Sequence, residues 1–300
     1  MKPTLLHRYA TFVTAMTGIL IFAGGLVTST NSGLSVPDWP LSYGTAFPPM
    51  IGGIRFEHTH RLIAGTVGVL TLVLAIAVWR AESRRWMKGL GLAALLAVVA
   101  QAVLGGLTVI YLLPAWISVT HACLAQTFFS LVASIALFTS NEWREGRVEP
   151  CEYAGSLRRL LITTTAFAWL QLVAGAIVRH TGRGLRWHFA LAFLIALHIL
   201  FIVLKSARDK STRERLFPHA VLLGGLVTTQ IFLGFGSFIF TRMLKAEIPT
   251  TGEVLFTTAH QTLGAMILAG TALLALRSYR LLAAPPSASR SAVPARGSLV

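Results

Sequence analysis

The sequence predicts an all-α integral membrane protein whose eight transmembrane helices form two pseudo-repeated four-helix bundles, and three observations lead there. Of the 300 residues, 54% are hydrophobic and only 12% charged, with mean hydropathy +0.68, outside the range of soluble domains. Apolar stretches long enough for a bilayer core recur over residues 9–28, 60–79, 88–112, 117–139, 159–178, 187–204, 218–240 and 254–276. The third observation is that short motifs from the first half of the chain return in the second. Helices are expected rather than a barrel because the runs are continuously apolar and rich in Leu and Ala, without alternating polarity.

The spans divide the chain into an N-terminal half over 1–140, a cytoplasmic linker over 141–157, a C-terminal half over 158–280 and a flexible cytoplasmic tail over 281–300. They leave no room for a soluble catalytic domain, so any chemistry lies among the helices or in the Ser29–Thr59 connection. The opening MKPTLLHRYA lacks both a signal-peptidase site and the character of a transit peptide, so the first span is expected to stay as an anchor. The formal charge is +15, and the placement of the charges explains it. Most Lys and Arg fall in alternate connections, from Lys2 and Arg8 through Arg80, Arg84, Arg85 and Lys88 to Arg277 and Arg280. Only Arg55, Arg61, Arg179, Arg183, Arg186, Arg242 and Lys245 lie on the other side. This is the positive-inside pattern of a cell-membrane protein with both termini cytoplasmic, and it argues against nucleic acid as the partner. Cys123, inside the fourth span, and Cys151, in a cytoplasmic connection, are too far apart for a disulfide.

Gln-x-x-x-Gly occurs three times, at Gln101–Gly105, Gln171–Gly175 and Gln230–Gly234, in the third, fifth and seventh spans. A related AGGLV stands at Ala23–Val27 in the first. Such small-residue faces let membrane helices approach closely, and a lone Gln can hydrogen-bond across them. The even-numbered spans carry instead a histidine near their outer ends: His60, His121, His188 and His260. Two imidazoles from facing helices grip a haem iron from both sides, which pairs His60 with His121 and His188 with His260, one porphyrin per half. Glu57 and His60 also form the Glu-x-x-His unit of di-iron bundles, but the further carboxylates such a site needs are missing, and copper would recruit Met or Cys.

In FEHTHR, Glu57 lies one turn before His60 and four residues before Arg61, so the three share a sector of the helix. Two readings of Glu57 stay open: a proton-handling group beside a porphyrin edge, or a partner for Arg61 that favours the helix N-terminus. No acid accompanies His188 in GLRWHFALAF, which suggests a working site in the first half and an electron-relaying or spectator haem in the second. Arg179, His180, Arg183 and Arg186 crowd the same end and are placed either to bind haem propionates or to snorkel to headgroups. His58 is expected as a surface or supporting group, His198 as a buried polar residue bonding between helices, and His7 and His219 as incidental. The Pro- and Gly-rich connection with Trp39, Tyr43 and Phe47 has the composition of a lid.

Together SGLSVPDWPLSYG, the PPM that follows, EHTHR and GAIVRHTG resemble the haem A synthase family of cytochrome oxidase assembly proteins over nearly the whole chain. The resemblance implies an eight-helix membrane enzyme that oxidises the C8 methyl of haem O to a formyl group by successive hydroxylations. The resulting gem-diol loses water to become the aldehyde. It implies Glu57 as the catalytic carboxylate, His60 and His121 as ligands of the substrate haem, and His188 and His260 as axial ligands of a haem b. Implied partners are haem O and its upstream synthase, membrane lipid, and a protein or quinone that exchanges electrons, with room for a homo-oligomer. Two departures stand out: Val36 and Ser42 replace a cysteine pair of some members, and the connection from Arg179 to Trp187 lacks a second pair. The competing readings are a two-haem cytochrome b that carries electrons from quinol, and a haem transporter.

Overall fold

A computed structural model of the chain describes residues 4–283. Eight helices in it are long and apolar enough to cross a membrane. In chain order they are α1 (Leu5–Ser29), α2 (Ile54–Ala81), α3 (Arg85–Ile110), α4 (Ala115–Thr139), α6 (Ala154–Thr181), α7 (Leu185–Ser206), α9 (Phe217–Phe238) and α10 (Thr251–Leu281). Short α5 (Asn141–Glu145) and α8 (Lys210–Arg215) lie in connections, and α9 runs on as a π-helical stretch, Ile239–Leu244. Each long helix extends beyond at least one end of its apolar stretch, because backbone bonding continues where hydropathy has already fallen. α3 is the exception at its C-terminal end. It stops at Ile110, since Leu112 and Leu113 adopt left-handed φ of 59° and 60° ahead of Pro114.

Local chemistry sets the ends. Thr4 accepts from the His7 amide at the start of α1, and Thr250 accepts from the Glu253 amide at the start of α10, with Glu253 at the third helical position as in a capping box. Gly182 (φ 71°) terminates α6 and Gly184 (φ 84°) launches α7, conformations that cost glycine nothing. Within the spans the threonine and serine hydroxyls mostly donate to carbonyls one turn back, as Thr17 does to Val13 and Thr71 to Val67, while those of Ser118 and Ser237 are buried without a hydrogen bond.

α1 to α4 pack as one four-helix group around Leu6, Ala10, Val67, Leu74, Val98 and Val132. α6, α7, α9 and α10 form the other, around Leu157, Leu161, Ile195, Ile199, Leu223 and Leu274. A third cluster, Ile21, Phe129, Ala133, Ala265 and Ala269, fills the seam where α1 and α4 meet α10. Hydrocarbon supplies no hydrophobic drive between helices, so close approach of small residues has to hold this seam. At Gly25 a β-carbon would stand 3.1 Å from the Thr258 methyl.

The end away from the four histidines is tied by ions. Buried Glu82 accepts from Arg84 at 2.7 Å and from Arg144 at 2.5 Å, and Arg84 also donates to the Phe138 carbonyl. Glu142 pairs with Arg277, joining the linker to α10. The linker is more structured than a plain connection: α6 begins at Ala154, and Glu149–Pro150 pairs in parallel with Leu282–Ala283. Cys151, expected in a cytoplasmic connection, is part of the C-terminal core, with its amide donating to Ala283. Residues 281–283 thus belong to α10 and this strand pair, and the rest of the expected tail lies outside the described residues. His7 is not incidental either: its Nδ1 lies 2.8 Å from the Ala136 carbonyl and ties α1 to α4.

Burial raises the Glu82 carboxyl but its two arginines outweigh that and hold it below the ordinary 4.5. A carboxyl lowered by folding adds stability above its unfolded value and loses it as pH falls through the folded one. Thermal melts in detergent are therefore expected to drop below pH about 4.5 in the wild type, with Glu82→Gln removing about 2 kcal/mol at neutral pH and much of that acid dependence.

Candidate functional site

All four histidines of the even spans sit on the same structural device. A β-carbon placed on Gly24 of α1 would lie 3.1 Å from Cε1 of His60. The corresponding distances are 3.4 Å from Gly105 to His121, 3.1 Å from Gly175 to His188 and 3.0 Å from Gly234 to His260. Each imidazole turns its Cε1 edge to a glycine of a neighbouring helix, and any side chain there would meet the ring. The glycine of Gln-x-x-x-Gly is thus a seat for a ring, a role that the motif's reading as a packing face missed. The signal was present in its strict pairing with a histidine on the next helix.

The residue four before each glycine completes the seat. In the second half the Gln230 amide donates to the His260 backbone carbonyl at 3.0 Å, and the Gln230 carbonyl lies 3.2 Å from Nδ1 of His260, placed to accept its proton. An Nδ1–H committed to a carbonyl leaves Nε2 with its lone pair, the state in which imidazole binds a metal. Gln101 donates likewise to the His121 carbonyl at 3.0 Å, and Gln171 Nε2 lies 3.3 Å from His188 Nε2. Nδ1 of His60, His121 and His188 is buried without a hydrogen bond.

His188 and His260 stand with ring centroids 6.1 Å apart and planes at 69°. One metal ion bonded about 2 Å from a nitrogen of each ring, on opposite sides, would set the centroids about 6 Å apart. The pair therefore fits an axially ligated iron. His60 and His121 lie within electrostatic reach of one another. Among the described residues no three His, Cys, Asp or Glu side chains converge on a single point; the histidines meet in twos.

The opening segment of α2 anchors the connection before it. Glu57 is 4% exposed, with Oε1 accepting from Arg61 at 2.6 Å and Oε2 from the Val36 amide at 2.9 Å. Arg61 donates onward to the carbonyls of Asp38 and Leu41, both at 2.7 Å, and to Val36. Asp38 in turn accepts from the amides of Gly44 and Tyr43, which hold its carboxyl below the usual range. His58, expected as a surface or supporting group, takes the supporting place: it is buried, and its Nδ1 lies 2.9 Å from the Ser42 hydroxyl. Val36 and Ser42 are thus the two loop residues that grip Glu57 and His58. Gly53 lets the loop cross the start of α2, since a β-carbon there would overlap the Ser35 hydroxyl at 2.0 Å. Trp39 lies against Gly106, next to the His121 seat. The connection is a folded cover over the first couple.

The basic residues at this end divide. Arg179 is drawn into the seam, donating to the Ser29 hydroxyl at 3.1 Å, and Thr257 and Thr258 donate to the same oxygen at 2.8 and 3.0 Å. His180 lies within electrostatic reach of His121 and Arg179. Arg183 and Arg186 are exposed, the latter over the Trp187 ring, and the structure does not bring them to the couples. The sequence reading also passed over Glu253, two turns before His260 and within electrostatic reach of Arg179, so the second half has a carboxylate at this end, though a turn farther from its histidine. His198 stacks on Phe167 at 5.1 Å and its Nδ1 has no partner, in place of the expected bond between helices.

The chain is an eight-span helical bundle with two couples of glycine-seated imidazoles, one couple beneath a loop bound to the start of α2. Residues 7–52 and 54–191 match the COX15-CtaA family, described as cytochrome oxidase assembly protein, and the chain belongs to that family. The match contains Glu57, His60, His121 and His188 and ends within α7. Among relatives, heme A synthase of Halalkalibacterium halodurans is 28% identical over 279 residues, 80% of this chain and 90% of that protein. Heme A synthase of Bacillus pumilus is 26% identical over 258 residues, 77% of this chain and 83% of the relative. That of Bacillus licheniformis is 31% identical over 173 residues, 57% of each chain.

Because Arg61 alone bridges three loop carbonyls, Arg61→Met should free the cover without unfolding the bundle. Limited proteolysis in detergent is expected to cut between Ser32 and Met50 at least tenfold faster, with helix content by circular dichroism unchanged.

Proposed function

We propose that this chain is a haem A synthase, oxidising the C8 methyl of haem O to a formyl group, with the first histidine couple holding the substrate and the second a resident haem b. Family membership and the full-span likeness to heme A synthases support the reaction. The observation that carries the division of labour is the cover. Only the His60–His121 couple lies beneath a latched loop and one turn from a buried, charge-balanced carboxylate. A site that must admit a substrate and release a product needs a cover that opens. One that keeps its haem needs none, and the second couple has a short connection, Gly182–Gly184, between α6 and α7.

When bound, the resident haem would supply one-electron redox chemistry next to the substrate site. The protein's own residues do the rest. His188 and His260 would bind the iron, each oriented by the glycine and glutamine on its neighbouring helix. His60 and His121 would bind and orient haem O so that its methyl meets Glu57. Glu57, paired with Arg61, would take up the protons released as the methyl carbon is oxidised. Arg179, held in the seam by Ser29, would balance a propionate, with His180 within electrostatic reach of it. The sites would face the outer side of a bacterial cell membrane, with both termini cytoplasmic, as the distribution of Lys and Arg directs. The substrate would arrive from a haem O synthase in the same membrane, and a quinone or redox protein would exchange the electrons. Neither nucleic acid nor a soluble domain enters this scheme.

Expression in a host that accumulates haem O, followed by pigment extraction and chromatography, tests the activity. The wild type should yield hydroxymethyl- and formyl-bearing haem, and extraction of unchanged haem O and haem b alone would defeat the proposal. Glu57→Gln should retain bound haem while conversion falls about a hundredfold or more. Gly234→Val, which drives a side chain into His260, should abolish low-spin haem absorbance from the second half. A spectrum equal to the wild type would show that this seat holds no ligand.

A further inference from the structure

At the end of the bundle away from the histidines, an open groove of about 350 Å³ runs between α6 and α7, lined by Ser156, Leu160, Phe201, Leu204, Lys205 and Arg208. Its floor is apolar and uncovered, with Phe201 49% and Leu204 50% exposed. Its rim is cationic. Among the described residues neither Lys205 nor Arg208 makes an ion pair with a carboxylate, while Arg84, Arg144, Arg215 and Arg277 at the same end do. Lys205 instead stands 5.7 Å over the ring of Tyr153, an aromatic at the first turn of α6, at the level where such rings meet lipid headgroups. The groove belongs to the outward face of the C-terminal half, since α6 meets α4 and α10, and α7 meets α9, elsewhere on their surfaces.

We infer that this groove binds one anionic phospholipid, its phosphate held by Lys205 and Arg208 and an acyl chain lying on Leu160, Phe201 and Leu204. Charge complementarity selects the occupant. A zwitterionic lipid brings its own cation to the rim, whereas phosphatidylglycerol or cardiolipin presents net negative charge to two unpaired cations, each worth about 1 kcal/mol near such a surface. Arg208 supplies a planar fork for phosphate oxygens and Lys205 a point charge already fixed by Tyr153. The site lies far from the histidine couples and does not depend on the reaction they perform.

Native mass spectrometry of the full chain in neutral detergent tests it, with added phosphatidylglycerol, phosphatidylcholine or glycerol phosphate. The wild type should retain one phosphatidylglycerol with an apparent Kd at least tenfold below that for phosphatidylcholine, and K205S/R208S should erase that margin. A margin that survives in the double variant overturns the inference. So does glycerol phosphate binding as well as the whole lipid, since the apolar floor would then contribute nothing. F201Q, which keeps both cations, should weaken both lipids alike, and a variant still binding phosphatidylglycerol as the wild type does would likewise reject the site. Unchanged helix content by circular dichroism in both variants separates lost binding from lost folding.

Discussion

The constraint on which the rest depends is the contact between an imidazole edge and a bare helix backbone. In a bilayer the spans gain nothing from hiding apolar surface from one another, so their separation is set by what stands between them. Where an odd helix offers a glycine and its neighbour a histidine, the ring occupies the space a side chain would have filled, and both positions become fixed together. The device occurs four times, at Gly24, Gly105, Gly175 and Gly234, and brings each half's two histidines towards its interior. Helix spacing and the position of each ring follow from the same contact.

From that common device the two halves diverge through their connections. Between α1 and α2 a long segment folds back and is bound to the helix it precedes, with the Val36 amide on Glu57, the Ser42 hydroxyl by His58 and three carbonyls on Arg61. Between α6 and α7 only the Gly182–Gly184 turn remains. The same pair of seats is therefore covered in one half and plain in the other. That difference, rather than the presence of an acid alone, distinguishes the sites, since Glu253 stands two turns from His260.

Glu57 illustrates how two readings of one residue can be compatible. It does pair with Arg61, as the bland reading required, and it is also buried one turn from His60. Its second oxygen is engaged by the loop, which couples the state of the carboxylate to the position of the cover.

The sequence by itself determined the number of spans, the helical class and the four histidines, because apolar length and residue identity survive translation into structure without knowledge of neighbours. It also showed Gln-x-x-x-Gly as a recurring unit, but not that the glycine and the carbonyl four residues earlier serve an imidazole on the next helix. Which residue faces a given glycine is a property of helix packing, not of the string. Tertiary structure alone decided that Arg179 turns into the seam while Arg183 and Arg186 stay exposed, and that Cys151 is core. It alone placed His58 against Ser42 and gave His198 a ring rather than a hydrogen bond for a neighbour. Each of these depends on which side of a helix meets protein and which meets lipid, and in a continuously apolar span no periodicity in the residues marks the difference.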